Sequence, residues 1–212
     1  LTRINYDYKS KYLFTASFRA DGSSRFINNK WGYFPSAAFA WKISEEPFMK
    51  PIRAISSAKL RTSFGYTGNN GVGNFSAFPS FVLPLSAGYS FGNQLINGSY
   101  ASSIGNSDLK WETTQQIDLG LNLGFFKDRL TLEVDAYRKT TNDLLLNANL
   151  PASTGYTKQF MNVGRVRNQG LEFTLNFAPL NKGNFKWNSS FNIAFNRNKV
   201  LELAQNELSM LS

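Results

Sequence analysis

The chain has 212 residues and a formal net charge of +9, and it contains neither cysteine nor histidine. This composition argues against disulfides, against thiolate or imidazole metal sites, and against histidine-based acid–base catalysis. We therefore predict no enzyme activity, no catalytic or metal site, and no cofactor. The basic residues are scattered singly along the chain, which argues against nucleic-acid binding.

Apolar residues are abundant but finely interleaved with polar ones. Hydrophobic residues make up 42% of the chain and aromatic residues 15%, yet the mean hydropathy is negative. This pattern is typical of a sheet whose two faces meet different environments. No stretch approaches the roughly 18 consecutive apolar residues of a transmembrane helix.

Alternation with a period of two predicts eight strands along the chain. They lie near residues 4–8, 12–20, 38–43, 59–66, 117–125, 130–136, 171–177 and 185–196. Several have about ten residues, which is the length that a tilted strand needs to cross a bilayer. Within the last four segments the apolar side carries no charge, as expected for a lipid-facing surface.

The connections between these strands alternate between short and long. Residues 9–11, 127–129 and 181–184 are predicted to form tight turns, whereas residues 69–108 and 147–165 form long loops. Outer-membrane barrels have short periplasmic turns and long external loops. Aromatic residues near the strand ends predict two girdles, with Trp31, Tyr33 and Trp111 on the long-loop side.

The side of the strands opposite the apolar one carries charged and amide groups. A hydrated barrel lumen would be lined by such residues. The candidates for this lining are Lys59, Arg61, Asp118, Asn122, Glu133, Asp135 and Glu172.

The same alternation is compatible with two other folds. One is a soluble β-sandwich, serving as an adhesin or a carbohydrate-binding module. The other is a small closed barrel of eight strands. With eight strands, both termini would lie on the long-loop side, outside the cell. A complete barrel inserted from the periplasm is expected to keep its termini inside, so the strand count disfavours the small barrel. The sequence of residues 208–212 also does not have the pattern of a closing strand that ends on an aromatic residue. We therefore expect a fragment of a larger antiparallel transmembrane β-barrel.

Motifs distributed over nearly the whole chain resemble one family, the SusC/RagA-type TonB-dependent outer-membrane transporters. Single motifs such as Asp21-Gly22-Ser23 are only turn signals, but their order and spacing carry the resemblance. The motifs cover residues 5–8, 11–13, 18–26, 31–36, 41–46, 60–61, 65–69, 109–114, 162–164 and 168–172.

The resemblance implies a barrel of about 22 strands with a plugged lumen, located in the outer membrane of a Gram-negative cell. It implies import of an oligosaccharide or peptide, a SusD-like surface lipoprotein as a lid, and energy from the TonB complex. Residues 1–212 would be part of the barrel domain, in contact with outer-membrane lipid. The plug and the N-terminal regions that contact TonB are absent from this chain.

The long loop at residues 69–108 is rich in aromatic residues among asparagine and glycine. Exposed aromatic faces beside amide donors suit sugar recognition, so cargo or lid contact is one prediction for this loop. A loop packed on itself is the alternative. The candidates for contact are Phe81, Tyr89, Phe91 and Tyr100.

Overall fold

The computed structural model of the chain describes residues 1–83, 88–182 and 185–203. Residues 183–184 of the predicted turn and the C-terminal segment 208–212 lie outside these ranges. The strands are β1 (Thr2–Tyr8), β2 (Tyr12–Gly22), β3 (Trp31–Lys42), β4 (Ile55–Asn69), β5 (Ser80–Val82), β6 (Gly88–Phe91), β7 (Gln94–Asn97), β8 (Tyr100–Ser103), β9 (Glu112–Phe125), β10 (Leu130–Asn142), β11 (Leu145–Asn149), β12 (Lys158–Asn162), β13 (Arg165–Lys182) and β14 (Phe185–Glu202). Two 3-10 turns cover Ile43–Glu45 and Ala152–Thr154.

The eight long strands form one antiparallel sheet in the order β1-β2-β3-β4-β9-β10-β13-β14. These are the eight strands that the alternation predicts. The short strands pair only with each other, as β5–β8, β6–β7 and β11–β12. They lie in the two long loops and were not predicted.

The register sorts the side chains onto two faces, because residues directly opposite each other point to the same side. One row across the sheet is Thr62, Leu119, Ala136, Leu171 and Phe195, which belongs to what we call the apolar face. The adjacent row is Arg61, Gly120, Asp135, Glu172 and Ala194, which belongs to what we call the polar face.

The apolar face is open. Leu119, Leu171 and Phe195 are 52%, 45% and 57% exposed, and no second sheet covers them within the described part of the chain. A soluble sandwich would bury these side chains in its core, so that alternative is wrong. β1 and β14 are also not paired with each other in the described residues, so the closed barrel of eight strands is wrong as well.

The connections between the long strands lie alternately at the two ends of the sheet. At what we call the inner end lie residues 9–11, 43–54 and 126–129, and at the outer end lie residues 23–30, 70–111 and 143–164. The two longest connections are therefore both at the outer end. This is the predicted asymmetry.

Several strands run further than the alternation indicates. β3 begins at Trp31, β10 ends at Asn142 and β13 begins at Arg165. In these extensions the apolar face carries charged residues. The prediction of an uncharged apolar face therefore holds only for the shorter segments that the alternation indicates. The cations on this face at the outer ends are Arg138, Arg165, Arg167, Arg197 and Lys199.

The main buried cluster lies where the outer loops converge. It contains Phe26, Phe34, Val72, Ala77, Leu109 and Trp111, which we call the loop core. The girdle prediction for Trp111 is wrong, because its side chain packs against the rings of Phe26 and Phe34 at 5.6 and 5.5 Å between centroids. Trp31 and Tyr33, by contrast, are exposed.

Candidate functional site

The structure brings the centre of the predicted polar set together. Arg61 on β4 reaches over β9, and its Nη2 donates to the two carboxylate oxygens of Asp135 on β10 at 2.9 and 3.2 Å. Its Nε donates to Oδ1 of Asn122 at 2.6 Å, and Asn122 in turn donates to Glu133. Four of the seven candidates therefore form one hydrogen-bonded network across three strands.

Gly120 makes this crossing possible. It lies directly between Arg61 and Asp135 in the register. A Cβ atom at this position would lie 2.3 Å from Oδ1 of Asp135 and 2.9 Å from Nη2 of Arg61. A side chain at this position would displace the ends of Arg61 and Asp135 from their present positions, so the absence of a Cβ atom lets the two groups meet directly over β9.

The remaining three candidates are on the polar face but outside this network. Asp118 accepts hydrogen bonds from Ser63 Oγ at 2.8 Å and from Gln116 Nε2 at 2.7 Å. The side chains of Lys59 and Glu172 form no hydrogen bond or ion pair with any described residue. Sequence reasoning missed Ser63, since only the strand register shows that it adjoins Asp118. It also missed Gln116, although Gln116 is two residues before Asp118 on β9 and therefore on the same face.

The network is half exposed, so its electrostatic energy is small. The side chains of Arg61 and Asp135 are 39% and 36% accessible to solvent, and ion pairs in such positions contribute about 0–1 kcal/mol. The arrangement fits a wet, rigid wall, where side chains are held in place but can still meet water.

The four aromatic candidates in the long loop are all exposed, but they do not form one cluster. Tyr89 and Phe91 lie on the same side of the β6–β7 hairpin. Phe81 and Tyr100 lie on opposite sides of the β5–β8 ribbon, because they pair with Ala101 and Val82 in neighbouring positions. Only Tyr89 and Phe91 thus present a shared surface.

Asn162 holds two outer loops against each other. Its Oδ1 accepts from the backbone N–H of Lys110 at 2.8 Å, and its Nδ2 donates to the carbonyls of Lys110 and Asp143 at 2.8 and 3.0 Å. The ammonium of Lys110 also pairs with Asp143 at 3.0 Å. Asn162, which belongs to the 162–164 motif of the family resemblance, therefore has a structural role.

At the inner end, Glu46 is the centre of a second polar cluster that sequence reasoning missed. Its carboxylate accepts hydrogen bonds from the hydroxyl of Tyr12 at 2.6 Å, the ammonium of Lys11 at 3.0 Å and the indole of Trp41 at 3.2 Å. The hydrogen bonds from Tyr12 and Lys11 hold the pKa of the Glu46 carboxyl below its ordinary value, although burial acts in the opposite direction. The cluster ties the first turn to the 43–54 connection.

Acidification is expected to destabilise the inner end through Glu46. Because the folded-state pKa is lowered, the stabilisation is present above the unfolded-state value of about 4.3 and is lost as the pH falls through the folded-state value. Glu46→Gln should lower the melting temperature of the whole protein at neutral pH and weaken its decline in acid. Thermal unfolding between pH of about 7 and about 3 measures this, with the exposed neighbour substitution Glu45→Gln as the control. An unaltered acid profile in Glu46→Gln would contradict the assignment.

No helix among the described residues is long and apolar enough to cross a membrane, a finding that has no bearing on membrane crossing by strands. The described residues also contain no group of three or more acidic side chains placed to hold a metal ion.

Comparison with known proteins identifies the fold. The family model for the TonB-dependent receptor-like β-barrel matches residues 2–207. The chain belongs to the TonB-dependent receptor family. Its place in the cell is therefore the outer membrane, as a β-barrel, and its family consists of transporters and not of enzymes.

Relatives extend this assignment to the SusC/RagA type. The chain is 45% identical over 206 residues to the TonB-dependent receptor P39 of Formosa agariphila, covering 97% of the chain and 19% of the relative. It is 40% identical over 205 residues to the TonB-dependent receptor SusC of Bacteroides thetaiotaomicron, covering 95% and 20%. The RagAB peptide transporter superposes with a TM-score of 0.86 at 31% identity, covering 97% and 22%. The resemblance predicted from the motifs is confirmed.

The chain spans about a fifth of the length of the curated relatives that it matches. Its eight long strands are accordingly a segment of a larger antiparallel barrel, as predicted.

Proposed function

We propose that this TonB-dependent receptor segment forms wall and outer loops of a transporter that imports a large nutrient, an oligosaccharide or a peptide. The observation that carries the proposal is the two-faced sheet. The apolar face is wide open, whereas the polar face carries the network of Arg61, Asn122, Glu133 and Asp135. A lipid environment suits the first face, and a hydrated lumen suits the second.

In this function the polar face lines the lumen. Lys59, Arg61, Asp118, Asn122, Glu133, Asp135 and Glu172 would border the space that holds the plug and that the cargo crosses. The plug and the regions that contact the TonB complex lie outside residues 1–212. The half-exposed ion pair of Arg61 and Asp135 holds these side chains along the wall and leaves them accessible to water.

The outer loops would meet the cargo or a SusD-like surface lipoprotein that covers the barrel. Tyr89 and Phe91 offer the paired aromatic surface that stacking on a sugar ring or on a peptide side chain requires. Phe81 and Tyr100 would contribute separately, from opposite sides of their ribbon. Support comes from the similarity to SusC and to the RagAB peptide transporter.

A strain that lacks the whole protein tests this function. Complementation with the full-length gene should restore growth on either a defined oligosaccharide mixture or a defined peptide mixture, and inactivation of TonB should abolish that growth. The double variant Tyr89→Ala with Phe91→Ala should reduce uptake of the same mixture.

Leu95→Ala is the matched control for these loop variants. Leu95 is exposed on the same hairpin, but it points to the opposite side from Tyr89 and Phe91. Uptake equal to wild type is expected for this control. Growth that persists without the protein, or uptake that does not need TonB, would refute the transport proposal.

A further inference from the structure

Four cations that form no ion pair with any described residue lie on the apolar face at the outer ends of three neighbouring strands. Arg138 on β10 and Arg197 on β14 flank Gln169 on β13 in one row. Arg167 and Lys199 lie directly opposite each other two residues further out. These four residues, which we call the basic cluster, occupy the face that carries Leu171 and Phe195, not the polar face.

The four members of the basic cluster have no ion-pair partner among the described residues. Among the described residues, no carboxylate forms an ion pair with any of its four members, whereas Arg165 just beyond it pairs with Glu202 at 3.5 Å. The Nε of Arg167 is buried and has no hydrogen-bond partner. Like charges directly opposite on a sheet destabilise it, so a bound anion would relieve the repulsion between Arg167 and Lys199.

The cluster lies at the depth where lipid headgroups begin. On β14 the exposed apolar residues run from Trp187 to Phe195, and Arg197 follows at the next position on the same face. A tilted strand crosses the hydrocarbon core in about 9–11 residues. Since Trp187 is near the inner end, Arg197 reaches the outer interface.

An apolar groove continues directly from the cluster toward the membrane interior. It is lined by Leu119, Ala136, Leu171 and Phe195 together with Arg138 and Arg197, which also line the basic groove above it. The small side chain of Ala136 lies between Leu119 and Leu171 in the register and leaves a depression between them. On a surface that faces lipid, part of an acyl chain would pack into such a depression.

We propose that this surface binds one phosphorylated lipid of the outer leaflet, with its phosphate on the basic cluster and an acyl chain in the groove below. Arginine holds phosphate through paired hydrogen bonds, and neighbouring strands 4.7–4.9 Å apart place Arg138 and Arg197 roughly 10 Å from each other across β13. An acidic partner protein would need only the positive charges of the basic cluster and would leave the adjoining apolar groove unused. The proposal does not depend on which cargo the transporter carries.

The test uses the whole protein in phosphatidylcholine nanodiscs, with lipid binding followed by native mass spectrometry. Phosphorylated lipid A should bind, and chemically dephosphorylated lipid A should bind at least about tenfold more weakly. This comparison needs no variant, so it holds even where a variant fails to fold. Equal binding of the two lipids would overturn the proposal.

Variants locate the site. Arg197→Gln with Lys199→Gln should lower the affinity for phosphorylated lipid A by about tenfold. The control pair Arg3→Gln with Lys139→Gln removes the same charge from the opposite face of the sheet and should leave the affinity unchanged. An equal loss in both pairs would overturn the proposal, because it would show only nonspecific attraction.

Two other outcomes would also overturn it. If inorganic phosphate displaces the lipid at equal concentration, the cluster is a free-anion site. If Arg197→Gln with Lys199→Gln keeps lipid affinity but loses a copurifying partner protein, the cluster is a protein interface.

Discussion

Phe191→Arg is expected to lower the free energy of unfolding of the whole protein in lipid vesicles by about 2–4 kcal/mol. Phe191 lies midway between Trp187 and Phe195 on the apolar face of β14 and is 61% exposed. If hydrocarbon surrounds this face, an arginine here must be desolvated near the bilayer midplane. Denaturant titration followed by tryptophan fluorescence measures the change.

Its neighbour Asn192 provides the matched control. Asn192 points to the polar face, opposite Thr174, so Asn192→Arg places the same side chain in the same strand on the other side of the wall. We expect a change within about 0.5 kcal/mol, as for most surface substitutions. Equal destabilisation by the two variants would contradict the assignment of the two faces.

Trp111→Ala is expected to cost about 3–5 kcal/mol of local stability at the outer end. Trp111 is only 9% exposed. It packs on Phe26 and Phe34, and its indole Nε1 donates to the carbonyl of Lys30 at 3.1 Å. Loss of the ring leaves a cavity at the point where the outer loops converge. Trypsin added to intact cells should then cleave the loops much faster at Lys30 and Lys110.

Trp31→Ala is the control for this experiment. Trp31 is next to Lys30 but is 63% exposed and outside the loop core, so its removal should leave loop cleavage close to the wild-type rate. Trp111→Phe should lie between the two, because it keeps most of the packing and loses one hydrogen bond worth about 1 kcal/mol. Unchanged cleavage in Trp111→Ala would show that the loop core does not hold the loops.

The errors of the sequence-based prediction have physical causes. Trp111 was assigned to an aromatic girdle because aromatic residues at strand ends commonly face the interface, but burial depends on loops that arrive from distant parts of the chain. The outer extensions of β10, β13 and β14 were missed because their charged residues interrupt the apolar alternation. Backbone pairing nevertheless continues through them, since hydrogen bonds between strands do not require apolar side chains.

Sequence alternation alone determined the eight strands and their two faces, because side-chain direction along a strand is a local property with a period of two. The order and spacing of the motifs carried the family resemblance. The tertiary structure decided the rest. It placed Asp135 beside Arg61 from 74 residues away, buried Trp111 under loops and aligned Arg138, Arg167, Arg197 and Lys199 into one surface. These outcomes depend on the register between distant strands and on where the ladders end, and no local pattern encodes either.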